Sequence, residues 1–143
     1  MANPGVAPLN PATPVGQVRL NLGDTTYVAL VPPVEGEGDY NNFSDEAIEG
    51  FIAAASGNPA SATGYGYLQL AAIAASSGSN VVTDDLQVDT SKRATEFRQI
   101  AAAWFGRAAD ADAEAGLNEY FNIVPYGSYI HPELSAFPTH WRY

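Results

Sequence analysis

Few residues of this chain have the types and spacing that chemistry requires. His131 and His140 are its two imidazoles, and cysteine is absent. Both histidines lie in a segment broken by Pro132 and Pro138, without the spacing of metal ligands, and read as surface or interface hydrogen-bonding groups. With no thiol there is no disulfide framework, thiolate metal site or cysteine nucleophile. No serine stands in a G-x-S-x-G context. Asp39-Tyr40-Asn41-Asn42-Phe43-Ser44-Asp45 opens like a calcium loop, but Phe43 replaces a ligand, Ser44 the turn glycine and Gly50 the closing glutamate. Gly64-Tyr65-Gly66 is no dinucleotide fingerprint, because Gln69 stands where a third glycine belongs. Asn42-Phe43-Ser44 matches a glycosylation sequon by coincidence, since the first residues lack the basic start and apolar run of a secretory signal. Asp84 and Asp85 read either as a solvated loop or cap, or as a bridge to an arginine of an adjacent subunit. The expectation is a protein with no catalytic residue, no metal and no cofactor, and not an enzyme.

Charge is distributed unevenly. The 143 residues carry 16 acidic and 6 basic side chains, a net charge of −10. Between Arg19 and Lys92 there is no lysine or arginine, while Asp24, Glu35, Glu37, Asp39, Asp45, Glu46 and Glu49 fall in that interval. Such a surface cannot hold phosphates by counterion release. It is either a solvated acidic face or one that faces DNA without gripping it. No apolar run is long enough to span a bilayer.

The length suits one small domain. Residues 1–17, with Pro4, Pro8, Pro11 and Pro14, read as an extended, polyproline-like, flexible arm. Val18-Arg19-Leu20-Asn21-Leu22 alternates apolar and polar residues, Gly23-Asp24-Thr25 reads as a turn, residues 27–31 are β-prone up to Pro32-Pro33, and residues 35–42 read as a loop. A first helix opens at Ser44 as N-cap, with Asp45 and Glu46 at its positive end and Phe43 and Ile48 placed as a hydrophobic staple. Ile48, Phe51, Ile52 and Ala55 form its apolar stripe, and Gly57 ends it. Asn58-Pro59 caps a second helix, about 60–77, expected to bury Tyr67, Leu68, Leu70, Ala71, Ala74 and Ala75. Gly64 and Gly66 within it suggest a close helix–helix approach. Asp89, Thr90 and Ser91 can cap a third helix, about 91–115, closed by Gly116. Its stripe is Ala94, Phe97, Ala101, Trp104, Phe105 and Ala108, at steps of three and four. Trp104 and Phe105 read as core, with a neighbouring subunit as the alternative.

Residues 117–143 differ in kind. They carry Tyr126, Tyr129, Phe137, Trp141 and Tyr143 beside Arg142, and their prolines forbid one continuous helix. That composition describes a non-helical arm that docks, on its own domain or on a neighbour.

Four pieces in this order and spacing resemble the head-to-tail adaptor (head completion, connector) proteins of long-tailed bacteriophages, especially those of actinobacteria. Val18-Arg19-Leu20-Asn21-Leu22-Gly23-Asp24-Thr25 resembles the family's V-R-L-x-x-G-D-T. Phe43-Ser44-Asp45-Glu46-Ala47-Ile48 resembles its capped first helix. The Ala-rich second helix and Asp85-Leu86-Gln87-Val88-Asp89-Thr90-Ser91 resemble its Ala-and-Leu helix and the approach to its long final helix. The chain departs from the pattern at residues 26–42, which are longer than usual, and at both ends. The resemblance implies a virion protein assembled in the host cytoplasm. It would form a ring of about twelve copies beneath the portal protein, present a platform to a downstream connector or tail protein, extend a channel through which double-stranded DNA passes without sequence-specific binding, and involve no membrane. It also implies a small all-α fold. Residues 18–116 are expected to form one helical domain, its core at 44–115 an antiparallel bundle of three main helices with a small further turn near 18–25. Tyr126, Tyr129, Phe137, Trp141, Arg142 and Tyr143 would dock on the portal or on a neighbouring adaptor. The alternative is a small α-helical binding or regulatory module that uses the aromatic tail to hold a partner.

Overall fold

The computed structural model describes residues 2–77, 82–83, 86–87 and 90–120. The chain forms two compact units, Met1–Ala111 and Asp112–Tyr143. It is mostly helical, as expected, but not all-α. Its elements in chain order are β1 (Pro4–Val6), α1 (Pro14–Leu22), β2 (Tyr27–Val28), β3 (Glu37–Tyr40), α2 (Asp45–Ala54), α3 (Pro59–Ser76), β4 (Val82–Thr83), β5 (Leu86–Gln87) and α4 (Thr90–Tyr120). The first three strands form one antiparallel sheet in the order β1-β3-β2, and β4 pairs with β5.

The first correction concerns residues 4–22. The proline-rich start is not a free arm there. Pro4, Gly5 and Val6 pair with Asp39, Gly38 and Glu37 of β3. In place of an alternating run stands a nine-residue helix. Thr13 caps it by accepting from the Gly16 N–H at 3.1 Å, Pro14 occupies its first turn, and Gly23, at φ 71°, ends it in the left-handed region that glycine enters without strain. Over five residues an alternating pattern also fits a helix. Val18 and Leu22, four apart, both reach the core, while Leu20 remains exposed.

The second correction is β3, expected as loop. Glu37-Gly38-Asp39-Tyr40 has little strand preference of its own. Partners on both sides order it: β1 along one edge and, along the other, Tyr27 and Val28 of β2 facing Tyr40 and Asp39. Glycine is needed at position 38, because a Cβ there would lie 2.7 Å from Cδ2 of Tyr27. Residues 27–40 are thus this hairpin.

Ser44 caps α2 as expected, accepting from the Ala47 N–H at 3.1 Å. Asn58 caps α3 with bonds from the Ala60 and Ser61 N–H groups at 2.9 and 3.2 Å. The two halves of the predicted staple, Phe43 and Ile48, are both buried, in one core cluster with Val18, Leu22 and Ala62. Phe51, Ile52, Ala55, Tyr67 and Leu70 pack against that cluster. In α3 the buried residues are small ones, Ala62, Thr63, Gly64, Gly66 and Ala71, whereas Leu68 and Ala75, expected inside, are exposed. The glycines mark close approach, as anticipated. A Cβ on Gly64 would stand 2.8 Å from Cζ of Phe105, and one on Gly66 2.7 Å from Cδ2 of Leu22.

The long helix α4 starts at Thr90 but is not closed by Gly116. It continues to Tyr120, so residues 117–120 of the expected non-helical arm are helical. Ala94, Ala101 and Ala108 of its stripe are buried, while Phe97, Trp104 and Phe105 are half-buried. No helix among the described residues is long and apolar enough to cross a membrane.

Candidate functional site

Arg19 lies at the centre of the polar interior. It projects from α1 and is 1% exposed. The turn at Gly23 folds the chain back so that Asp24, itself 2% exposed, meets the same arginine. Nη1 donates to Oδ2 of Asp24 at 2.8 Å and to the Phe43 carbonyl at 3.0 Å, and Nη2 donates to Oδ1 of Asp45 at 2.6 Å. The guanidinium also covers the Tyr40 ring at 3.6 Å from its centroid, a cation–π contact strengthened by exclusion of water. The carboxylates are held from behind. Asp24 accepts from the backbone N–H groups of Asn42 and Phe43, each at 3.2 Å, and from the Asn42 amide at 3.3 Å. Asp45 accepts from the Val6 N–H at 2.9 Å. Among the described residues no buried side-chain nitrogen or oxygen lacks a partner.

The arrangement fastens β1, α1, the end of β3 and the start of α2 together. Every polar atom of Arg19 and Asp24 named above has a partner within the chain. The calcium-like run is likewise engaged: Asp39 accepts from the Asn3 N–H at 2.6 Å, Ser44 caps α2, and Asp45 binds Arg19. Among the described residues no group of three or more histidine, cysteine, aspartate or glutamate side chains could hold a metal ion.

Burial pushes the Tyr40 hydroxyl above its ordinary value of 10.0, against the opposing pull of the adjacent Arg19 charge. The fold therefore holds the neutral phenol, whose hydroxyl donates to the Val6 carbonyl at 2.6 Å. This contribution to stability is complete below the unfolded-state pKa and is lost as pH rises through the higher folded-state value. Chemical denaturation is expected to show wild-type stability falling more steeply above pH about 10 than that of Tyr40→Phe. At neutral pH the variant is expected to be less stable by about 1 kcal/mol through the lost hydrogen bond.

Two of the surface features among the described residues suit recognition. A groove of about 480 Å³ lies between α3 and α4, lined by Leu22, Tyr67, Leu70, Ile73, Phe97 and Ile100, with Arg93 beside them. The tip of the β2–β3 hairpin presents Val28, Val31 and Val34 to solvent, Val31 being 96% exposed. Sequence reasoning missed both. The hairpin's exposed valines adjoining Pro32-Pro33 were a readable signal, whereas the groove arises only when two helices meet. Trp104 is half-buried under the Arg107 guanidinium, 4.7 Å from its ring, and Phe105 packs edge-on to Tyr65 at 5.3 Å.

Tyr126, Tyr129, Phe137, Trp141, Arg142 and Tyr143, expected to dock on a partner, lie outside the described residues, as do His131, His140, Asp84, Asp85 and the expected cap Asp89. Thr90 is the first residue of α4. Comparison of the chain with protein-family models, with curated proteins and with solved structures finds no match in any of the three.

Proposed function

We propose that this chain is a structural virion protein, a head-to-tail connector whose copies form a ring between portal and tail and extend the DNA channel. It would be assembled in the host cytoplasm and act without catalysis or cofactor. The observation that carries the reading is the joining of residues 18–25 and 43–48 around Arg19. These two segments bear the resemblance to the adaptor family, and their quoted residues form one interlocked unit: Val18, Leu22, Phe43 and Ile48 share the core, and Arg19, Asp24 and Asp45 share the ion pairs. The resemblance therefore falls on residues that act together in the fold. Exposed Glu46 and Glu49 on α2 supply carboxylates that repel a passing duplex and leave it mobile.

In this proposal the aromatic segment 121–143 anchors the ring to the portal, with Trp141 as its largest side chain. Trp141→Ala is expected to weaken co-sedimentation with purified portal by roughly 10-fold or more and to leave the melting temperature unchanged. A variant that melts early yet attaches normally when folded contradicts the anchor. Wild-type protein that stays monomeric in sedimentation velocity, alone and with portal, contradicts the ring.

A further inference from the structure

We propose that a second copy of this chain occupies the groove between α3 and α4, seating there the tip of its β2–β3 hairpin. The inference rests on the ring reading above and specifies its contact.

The two surfaces are a projection and a recess, and they differ in charge. The knob is an aliphatic projection, Val31 and Val34 around Pro32-Pro33, with Glu35 and Glu37 exposed at its base. The groove has an apolar floor, open along Ile73 and Ile100, which are 48% and 39% exposed, and a polar border of Asn42, Ser77 and Arg93. Its volume of about 480 Å³ accommodates more than one aliphatic side chain. No residue of the hairpin tip lines the groove, so knob and hole are different patches of one molecule.

The charge distribution favours a second copy as occupant. At a net charge of −10, identical chains repel one another over most of their surfaces. Arg19 is buried, so among the described residues the exposed cations all lie on α4, at Lys92, Arg93, Arg98 and Arg107. An acidic, apolar projection is attracted to the first part of this helix, where these four bases stand with Glu96 alone before the acids from Asp110 onward, and is repelled by the base-free remainder. A knob-into-hole contact between unlike patches is heterologous, and such contacts propagate head to tail until they close into a ring.

The test uses the full chain and sedimentation velocity at rising concentration, with and without portal. Val31→Asp combined with Val34→Asp is expected to weaken self-association roughly 100-fold or more, and so is Ile100→Asp. All three positions are exposed, and unchanged circular dichroism and melting confirm that each variant folds. The decisive observation is an equimolar mixture of the hairpin variant and the Ile100→Asp variant. Each retains one intact half-interface, so the mixture is expected to form dimers and nothing larger. Arg93→Glu is expected to weaken assembly, and Glu35→Arg with Glu37→Arg to restore it.

Rings of normal size from the hairpin variant overturn this contact and leave the ring reading standing, as do rings that form normally but no longer bind portal. A mixture that stays monomeric while wild type assembles also overturns it. A wild-type chain that never associates, with or without portal, overturns both.

Discussion

Arg19→Ala is expected to destabilise the fold by about 3–5 kcal/mol, the cost of breaking a buried ion pair from one side. For a chain of this size that corresponds to a fall in melting temperature of roughly 10–20 °C by calorimetry. The magnitude comes from what is left behind. The Asp24 side chain is fully buried, so removal of the guanidinium strands a carboxylate in a medium that solvates it poorly. Asp45 and the Phe43 carbonyl each lose a donor, and the Tyr40 ring loses the cation that covers it. Arg19→Lys is expected to recover less than half of the loss. An ammonium carries the charge but lacks the planar fork that reaches Asp24 and Asp45 at once. Arg19→Met combined with Asp24→Asn is expected to be more stable than Arg19→Met alone by about 1 kcal/mol, because the stranded charge is gone while the amide oxygen still accepts from one of the two backbone N–H groups, Asn42 and Phe43, that Asp24 serves through separate oxygens. An Arg19→Ala protein within 1 kcal/mol of wild type would mean that the network contributes specificity without stability.

Gly16→Ala is expected to cost about 3 kcal/mol or more, at the upper end for overpacking, although alanine is the better helix former by about 1 kcal/mol. Gly16 is buried in the first turn of α1, where a Cβ would overlap the backbone carbonyl of Asn10. A flexible side chain could swing aside, but a backbone carbonyl moves only with its loop. That loop is tied down at Asn10, whose carbonyl accepts from both the backbone N–H and the hydroxyl of Thr13, the cap of α1. The control is Gly50→Ala on the exposed side of α2, where a Cβ meets nothing within 4 Å. That substitution is expected to stabilise by about 0.5–1 kcal/mol. Equilibrium urea unfolding distinguishes them, and equal destabilisation by both would mean that crowding at Asn10 is not what position 16 responds to.

Legibility in the sequence followed the range of the interactions. The caps Ser44 and Asn58 were readable because a cap and the N–H groups it serves lie within three residues. Helix α1 was equally local, with Thr13-Pro14 before it and Gly23 after it, but the alternation of Val18 to Leu22 was given more weight than those boundary residues. The strand β3 had no such signal, since Glu37-Gly38-Asp39-Tyr40 becomes a strand only between β1 and β2. In α3 the expected stripe divides, with Tyr67, Leu70 and Ala71 packed inward and Leu68 and Ala75 exposed, whereas the close approach at Gly64 and Gly66 was legible in the glycines themselves. The site divides in the same way. Asp24 and Asp45 were read as surface charge, and their engagement appears only when α1 and α2 meet. A lone arginine before a long base-free stretch was the clue to it.

The sheet order has a consequence for how disturbances travel. The central strand is the one least able to stand alone, and one of its two supports comes from more than thirty residues upstream. The same upstream segment donates its Val6 N–H to Asp45, the carboxylate that closes the arginine clamp at the start of α2. Lifting the opening strand therefore does more than fray an edge: it unseats the middle of the sheet and loosens the first turn of a helix in a single event. Residues that composition alone would mark as dispensable act as a latch on the body of the protein.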